Sequence, residues 1–178
     1  CDDGPSDIDG YSEFDTSSIT QTLLTNPETS QTQSLDLYTV EYEYVNENGA
    51  TVTTAELPNP FNTKTQTVKA TVTNKLNGNC VISEDIQFTV NPLPVIVNNI
   101  VTIKQCDDGE GAENDGITLH DLTESQLLIS DNYENETFEY YEDVDLTEKI
   151  DNPEASYNDP LYDEIWVKVI TENGCERI

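Results

Sequence analysis

The chain has 178 residues, and 36 acidic side chains against 7 basic ones give it a formal charge of −29. This charge repels polyanions, which excludes binding to nucleic acid or to an anionic membrane surface and favours multivalent cations as partners. Four cysteines without any methionine, and no apolar run near the ~20 residues that span a bilayer, predict an extracellular protein without membrane insertion. A simpler role for the acidity is to keep a secreted protein soluble.

The chain begins with an acidic stretch that returns in its second half. Residues 1–10 read Cys-Asp-Asp-Gly-Pro-Ser-Asp-Ile-Asp-Gly, and residues 106–116 read Cys-Asp-Asp-Gly-Glu-Gly-Ala-Glu-Asn-Asp-Gly. We therefore interpret the chain as a tandem repeat, with a first repeat at residues 1–93 and a second, truncated repeat at residues 94–178. A lipidated N-terminal cysteine is the alternative for Cys1, but Cys106 has the same Asp-Asp-Gly tail in mid-chain.

Short alternating segments fill the first repeat. Apolar and polar residues alternate with a period of two, as in strands with one buried face, and Asn-Gly pairs mark the turns between them. The predicted elements are a helical turn at 17–24, a strand at 38–44, a hairpin through Asn48-Gly49 to 50–57, a break at 58–60, a strand at 68–72, a turn at Asn77-Gly78, and a returning strand at 82–90 that ends at the proline-rich joint 91–94.

The second repeat follows the same plan. We predict an opening strand at 95–105, an early strand through Phe138 and Tyr140, a break at Asn152-Pro153, and a late strand at 165–169 before Asn173-Gly174-Cys175. The first repeat would lack its opening strand, which we expect before Cys1. The second repeat would lack its closing strand, which we expect after Ile178. The pattern predicts an all-β protein of two tandem antiparallel β-sandwich modules of immunoglobulin-like type, with little helix.

Both acidic stretches are candidate calcium sites. Calcium prefers six to eight oxygen ligands, and two carboxylates ~5 Å apart repel by roughly 3 kcal/mol at an effective dielectric of ~20 unless a cation lies between them. The candidate ligands are Asp2, Asp3, Asp7, Asp9 and Asp15 in the first repeat and Asp107, Asp108, Glu113, Asp115 and Asp121 in the second. An EF-hand is excluded because Pro5 and Thr16 occupy its first and last ligand positions. The alternative is an Asp-rich turn whose side chains bind their own backbone.

The cysteines allow two pairings that respect the repeat. Cys1 with Cys80 and Cys106 with Cys175 would lie within repeats, whereas Cys80 with Cys106 would cross the joint. Ring entropies of roughly 4.5 and 3.6 kcal/mol hardly separate the two. We favour pairing within repeats, because it uses all four cysteines and ties each acidic stretch to its late hairpin.

Signals of catalysis are nearly absent, so we do not expect an enzyme. The single histidine, His120, stands where the first repeat has Phe14, which indicates packing rather than a base or a ligand. Tyrosines alternate along the strands, and we expect most to pack in the core or on a sheet face. A sugar-stacking platform is the alternative, as in a carbohydrate-binding module of a secreted hydrolase; these tyrosines are Tyr38, Tyr42, Tyr44, Tyr140 and Tyr141.

The chain resembles the repeats of large Bacteroidetes cell-surface proteins in several motifs. These are the Cys-Asp-Asp start, the Asp-Gly and Phe-Asp that follow it, the Asn-Gly-Cys after the late strand and the closing Val-Asn-Pro-Leu-Pro. Those proteins include gliding-motility adhesins exported by the type IX system. The resemblance implies a stalk at the cell surface, stabilised by calcium and disulfides, that projects a distal adhesive region. Its partners would be neighbouring repeats of the same chain, with surface polysaccharide or other surface proteins as further partners.

Overall fold

A computed structural model describes residues 1–2, 6, 8–77, 80–107, 116–157 and 164–178 of the chain. The fold is all-β: antiparallel sheets account for most of the regular structure, with a few short helical segments. The chain divides into two compact units, Cys1–Pro92 and Leu93–Ile178. Within the described residues, no helix has the length and apolar character needed to cross a bilayer.

The first unit contains a four-stranded sheet and a two-stranded one. The larger sheet has the order β3-β2-β5-β6, and the smaller pairs β1 with β4, all antiparallel. The elements are β1 (Ser12–Phe14), α1 (Ile19–Leu23), β2 (Tyr38–Val45), β3 (Thr51–Thr54), β4 (Phe61–Thr63), β5 (Gln66–Asn74) and β6 (Val81–Phe88). The predicted helical turn, the Asn48-Gly49 hairpin and all three predicted strands are confirmed.

The core of the first unit lies between these two sheets. Every second residue of β5 is buried, namely Val68, Ala70 and Val72, as the period-two pattern requires. Phe61 from the small sheet meets Phe88 from the large sheet edge to face, with ring centroids 5.2 Å apart. Two layers therefore enclose one apolar core, which is the arrangement of a β-sandwich.

The second unit contains a three-stranded sheet of order β11-β10-β8 and a two-stranded sheet of β7 and β9, all antiparallel. The predicted early and late strands are confirmed as β8 and β10. The elements are β7 (Leu119–His120), a 3-10 turn (Leu122–Ser125), α2 (Gln126–Ile129), a 3-10 turn (Tyr133–Asn135), β8 (Glu136–Tyr141), a 3-10 turn (Pro153–Ala155), β9 (Ser156–Tyr157), β10 (Trp166–Thr171) and β11 (Glu176–Arg177).

The predicted opening strand at 95–105 is wrong, because none of these residues belongs to a strand. The segment instead lies against the end of α2, where the Val97 amide donates to the Ile129 carbonyl at 2.7 Å. Its apolar residues are largely exposed, with Ile100 at 88%. Asn98 and Asn99 interrupt the alternation there, and the Asn98 side-chain amide donates to the Leu128 carbonyl at 2.7 Å. The closing strand of the second repeat also begins earlier than predicted, as β11 at Glu176 rather than after Ile178.

Candidate functional site

The two acidic stretches are closed by the same hydrogen bond. An oxygen of the Asp2 carboxylate accepts from the Gly10 amide at 3.0 Å, and an oxygen of the Asp107 carboxylate accepts from the Gly116 amide at 3.0 Å. Both glycines have positive φ, +76° and +80°, a conformation that side chains with a Cβ disfavour. The hydrogen bonds of Asp2 with Gly10 and of Asp107 with Gly116 are therefore a structural repeat that matches the sequence repeat.

Other acidic side chains of these stretches form local turns. The Asp9 and Asp15 carboxylates accept from amides two residues further on, those of Tyr11 and Ser17, each at 2.9 Å. Asp121 does the same with the Thr123 amide at 2.9 Å. The hydrogen bonds from Ser17 hold the pKa of Asp15 below its usual value. These contacts are the Asp-rich turns expected as the alternative to a metal site.

The predicted calcium ligands are described only in part. Among the described residues, no three acidic, histidine or cysteine side chains are grouped closely enough to hold a metal ion. Asp2, Asp9 and Asp15 are thus not grouped together as one ligand set. The remaining candidates lie outside the described residues, namely Asp3, Asp7, Asp108, Glu113 and Asp115.

Asp2 differs from its counterpart Asp107 in burial. The Asp2 side chain is only 5% exposed, whereas Asp107 is exposed. One Asp2 carboxylate oxygen accepts from Gly10, but the other is buried and has no hydrogen-bond partner. A buried carboxylate oxygen without a donor is costly, so a cation is a natural partner for it.

The two late cysteines occupy equivalent hairpin positions. The amide of Asn74, the last residue of β5, donates to the Cys80 carbonyl at 3.0 Å, and the amide of Thr171, the last residue of β10, donates to the Cys175 carbonyl at 2.9 Å. Each cysteine therefore follows the hairpin turn after the late strand of its unit. The sequence repeat is also a repeat of backbone structure at these positions.

The cysteines are not paired as predicted. Cys1 and Cys175 are disulfide-bonded, whereas Cys80 and Cys106 are free and exposed. The predicted bonds within repeats, Cys1 with Cys80 and Cys106 with Cys175, are therefore wrong. The alternative bond between Cys80 and Cys106 is not formed either. Loop entropy could not have indicated this, because it depends only weakly on the length of the ring.

The sequence matches the model of one protein family twice, over residues 1–94 and residues 102–178, and that family is described as the Flavobacterium inter-domain disulphide bond domain. The chain belongs to this family. Comparisons with curated proteins and with solved structures found no match. The two matches of the inter-domain disulphide bond domain leave out only residues 95–101, the first part of the segment that does not form the predicted strand.

The strand tyrosines of this inter-domain disulphide bond domain protein lie in its interior. Tyr42, Tyr140 and Tyr141 are buried, and Tyr38 and Tyr44 are half-buried. Burial raises the pKa of Tyr42 and of Tyr140 above the usual value. The three buried rings therefore present no stacking surface for a sugar. His120 is half-buried in β7, opposite Ser156 of β9.

A cluster of paired charges that the sequence did not predict lies on the β8-β10-β11 sheet. The Glu139 carboxylate accepts from the Lys149 ammonium at 2.5 Å and from the Tyr141 hydroxyl at 2.9 Å, and Lys168 pairs with Glu176 at 2.5 Å. The hydrogen bond from Lys149 holds the pKa of Glu139 below its usual value. A cross-strand comparison would have indicated part of this cluster, because Glu139 lies directly opposite Lys168.

Proposed function

We propose that this chain is a pair of non-catalytic spacer modules from a bacterial cell-surface adhesin, tied to each other by a disulfide. The observation that supports the proposal most strongly is the double match to an inter-domain disulphide bond domain, in a chain where Cys1 and Cys175 are disulfide-bonded. Modules that bind only their neighbours add length by simple repetition, so a stalk is a natural use of such a chain.

Within this proposal, the bond that ties the modules joins the early cysteine of the first repeat, Cys1, to the late cysteine of the second, Cys175. A covalent link in addition to the polypeptide joint limits how far two consecutive modules can bend. The proline-rich joint at residues 91–94 restricts the same motion. An extended stalk requires stiffness of this kind, and a disulfide is stable in the oxidising environment outside the cell.

Calcium is the second stabilising element that we propose. The support is Asp2, whose carboxylate is buried with one oxygen lacking a hydrogen-bond partner. A calcium ion at the first acidic stretch would neutralise this carboxylate and would stabilise the folded module by mass action. Since Asp107 is exposed, we expect the second stretch to bind more weakly.

A carbohydrate-binding module is the competing function, and the burial of the strand tyrosines argues against it. Among tyrosines of the described residues, Tyr133 and Tyr157 have the most exposed rings, at 36% and 52%. Neither is on β2 or β8, where sequence analysis placed the stacking platform. A stalk that binds no sugar itself agrees better with this arrangement of rings.

The location on the cell, export by the type IX system and a role in gliding motility belong to the proposal through the resemblance of the repeats. Antibodies raised against the purified chain can test the location directly on cells that produce the parent protein. We expect labelling of intact cells, and prior treatment with an external protease should remove it. Labelling that requires permeabilised cells would contradict the proposal.

A further inference from the structure

We propose that this protein associates with further copies of itself by strand addition. Residues 99–105 of one copy would pair with the free edge of β6 in another copy. The partner is thus a second copy of this chain, and the contact consists mainly of backbone hydrogen bonds, as when an extended segment adds to a sheet edge. This association goes beyond the proposed spacer function, which does not depend on it.

The first half of the contact is the outer edge of β6. This strand is the last of the sheet β3-β2-β5-β6, and within one copy it pairs with β5 alone. The Asn74 amide donates to the Cys80 carbonyl at 3.0 Å. Because hydrogen-bonded and non-hydrogen-bonded pairs alternate along an antiparallel ladder, the even-numbered residues of β6 bond to β5. The odd-numbered residues direct their amides and carbonyls away from the sheet, namely Val81, Ser83, Asp85 and Gln87.

This edge can accept another strand. All four odd-numbered residues are exposed, and among the described residues nothing hydrogen-bonds to their outward amides and carbonyls. The edge is eight residues long, whereas β3, at the opposite edge of the same sheet, has four residues. A long edge with unpaired backbone groups is a template for a strand from another chain.

The second half of the contact is the segment of residues 99–105, Asn-Ile-Val-Thr-Ile-Lys-Gln, which is rich in β-branched side chains. Val101 and Ile103 are half-buried, and the residues between and beside them are exposed. This period of two is typical of an extended backbone. In the part of the chain that the structure describes, no hydrogen bond involves the backbone of the segment. The segment thus has the pattern of a strand without a sheet.

Charge favours this segment as the strand that adds to β6. Glu84 and Asp85 are exposed in the middle of β6 and repel most of a chain whose formal charge is −29. Lys104 is the only charged residue of the segment. A parallel register that places Lys104 opposite Asp85 also places Ile100 opposite Val81, so it pairs opposite charges and apolar side chains at once.

The contact is not self-complementary. Each copy has one such edge and one such segment, so a copy can accept a strand from one neighbour and donate a strand to another. Contacts of this heterologous kind produce open chains of copies unless the rotation between copies closes a ring.

Exchange of the two charges tests both the surface and the register. All proteins are full chains with Cys80→Ser and Cys106→Ser, so that association is not covalent, and sedimentation velocity measures association against concentration at ~0.15 M salt. Asp85→Lys and Lys104→Glu should each weaken association roughly ten-fold. An equimolar mixture of these two variants should restore it. In the mixture each altered edge meets an altered segment of opposite charge, and each unaltered edge meets an unaltered segment.

Two further variants separate this contact from general effects of charge and folding. Glu28→Lys changes the net charge as Asp85→Lys does, at an exposed site outside the sheets, and should leave association unchanged. Ser83→Pro removes an amide that is directed away from the sheet, and proline is tolerated at such edge positions. Its melting temperature should therefore stay close to that of the parent chain, while association is lost.

No association of the parent chain up to ~1 mM would overturn the inference. A mixture of Asp85→Lys and Lys104→Glu that associates no better than either variant alone would contradict it, and so would association that persists in Ser83→Pro. The proposed spacer function would survive each of these results, because it is tested separately on whole cells.

Discussion

Replacing the buried carboxylate of Asp2 tests the calcium proposal, because the change in stability should depend on whether calcium is present. Asp2 is 5% exposed, one of its oxygens binds the Gly10 amide, and the other has no donor. In Asp2→Asn the amide oxygen can still accept from Gly10, while the buried charge is lost and a buried amide NH₂ takes its place. Without calcium these two changes oppose each other, and we expect a net change within about 1 kcal/mol.

With calcium the variant should be clearly less stable than the parent chain. Calcium sites of extracellular modules have dissociation constants of about 10⁻⁴–10⁻³ M, so about 10 mM calcium stabilises the folded module by roughly 1.4–2.7 kcal/mol through RT ln(1 + [L]/Kd). For a domain of this size that free energy corresponds to about 6–20 °C in melting temperature. Asp2→Asn should lose most of this increase.

The assay is thermal melting of both proteins in about 10 mM calcium and in chelator, with magnesium as the control ion. Asp107→Asn is the matched variant in the second repeat, where the equivalent carboxylate is exposed, and it should alter the calcium effect much less. If calcium raises the melting temperature of the parent chain and of Asp2→Asn equally, the reasoning from the unpaired oxygen is refuted. If it raises neither, the acidic stretches are hydrogen-bonded turns without an ion.

Three further predictions concern the core, the charge cluster and the competing function. Val68→Ala removes two methyl groups from a fully buried position, and should lower the free energy of unfolding, measured in urea, by about 2–3 kcal/mol. Val81→Ala, at an exposed position, should lower it by less than about 0.5 kcal/mol. Equal losses would contradict the described core. The pKa of Glu139 is lowered in the folded state, so its carboxylate stabilises the fold above the ordinary glutamate pKa, and this stabilisation is lost as the pH falls through the lowered value. The difference in melting temperature between the parent chain and Glu139→Gln should therefore be present at pH 7 and shrink toward pH 3. A difference independent of pH would be inconsistent with the ion pair. The chain should bind no polysaccharide on a glycan array, and micromolar binding that Tyr157→Ala abolishes would favour a carbohydrate-binding module instead.

The strands of the first unit could be predicted from the sequence because their signals are local. The alternation of Tyr38 to Tyr44, the Asn48-Gly49 turn and the alternation of Val68, Ala70 and Val72 each specify a strand or hairpin without knowledge of distant residues. In the structure Val40 and Tyr42 are buried and pair with Val72 and Ala70, so both strands place the same face in the core.

The segment 95–105 could not be predicted in this way. Its composition is typical of a strand, but a strand forms only where a second strand pairs with it. Whether such a partner is present depends on residues far away in the sequence, which local composition does not reveal. The segment bonds instead to the carbonyls of Leu128 and Ile129. Exposed Val95 and Ile100 are the consequence.

The acidic stretches and the cysteines show the same division between local and distant information. The recurrence of the acidic stretch indicated a tandem repeat, and the same hydrogen bond is present in both copies, Asp2 with Gly10 and Asp107 with Gly116. The cysteine pairing depends on which surfaces meet in three dimensions. Ring entropies that differ by about 1 kcal/mol could not select one pairing from the alternatives.

The connectivity of the cysteines is the most direct test of the central claim, that a disulfide ties consecutive repeats. The purified chain is alkylated under native conditions, digested without reduction at a pH that prevents exchange, and mapped by mass spectrometry. The account predicts one cross-linked peptide pair, Cys1 with Cys175, and alkylated Cys80 and Cys106. Cross-links of Cys1 with Cys80 and of Cys106 with Cys175 would place each disulfide within one repeat and contradict the account.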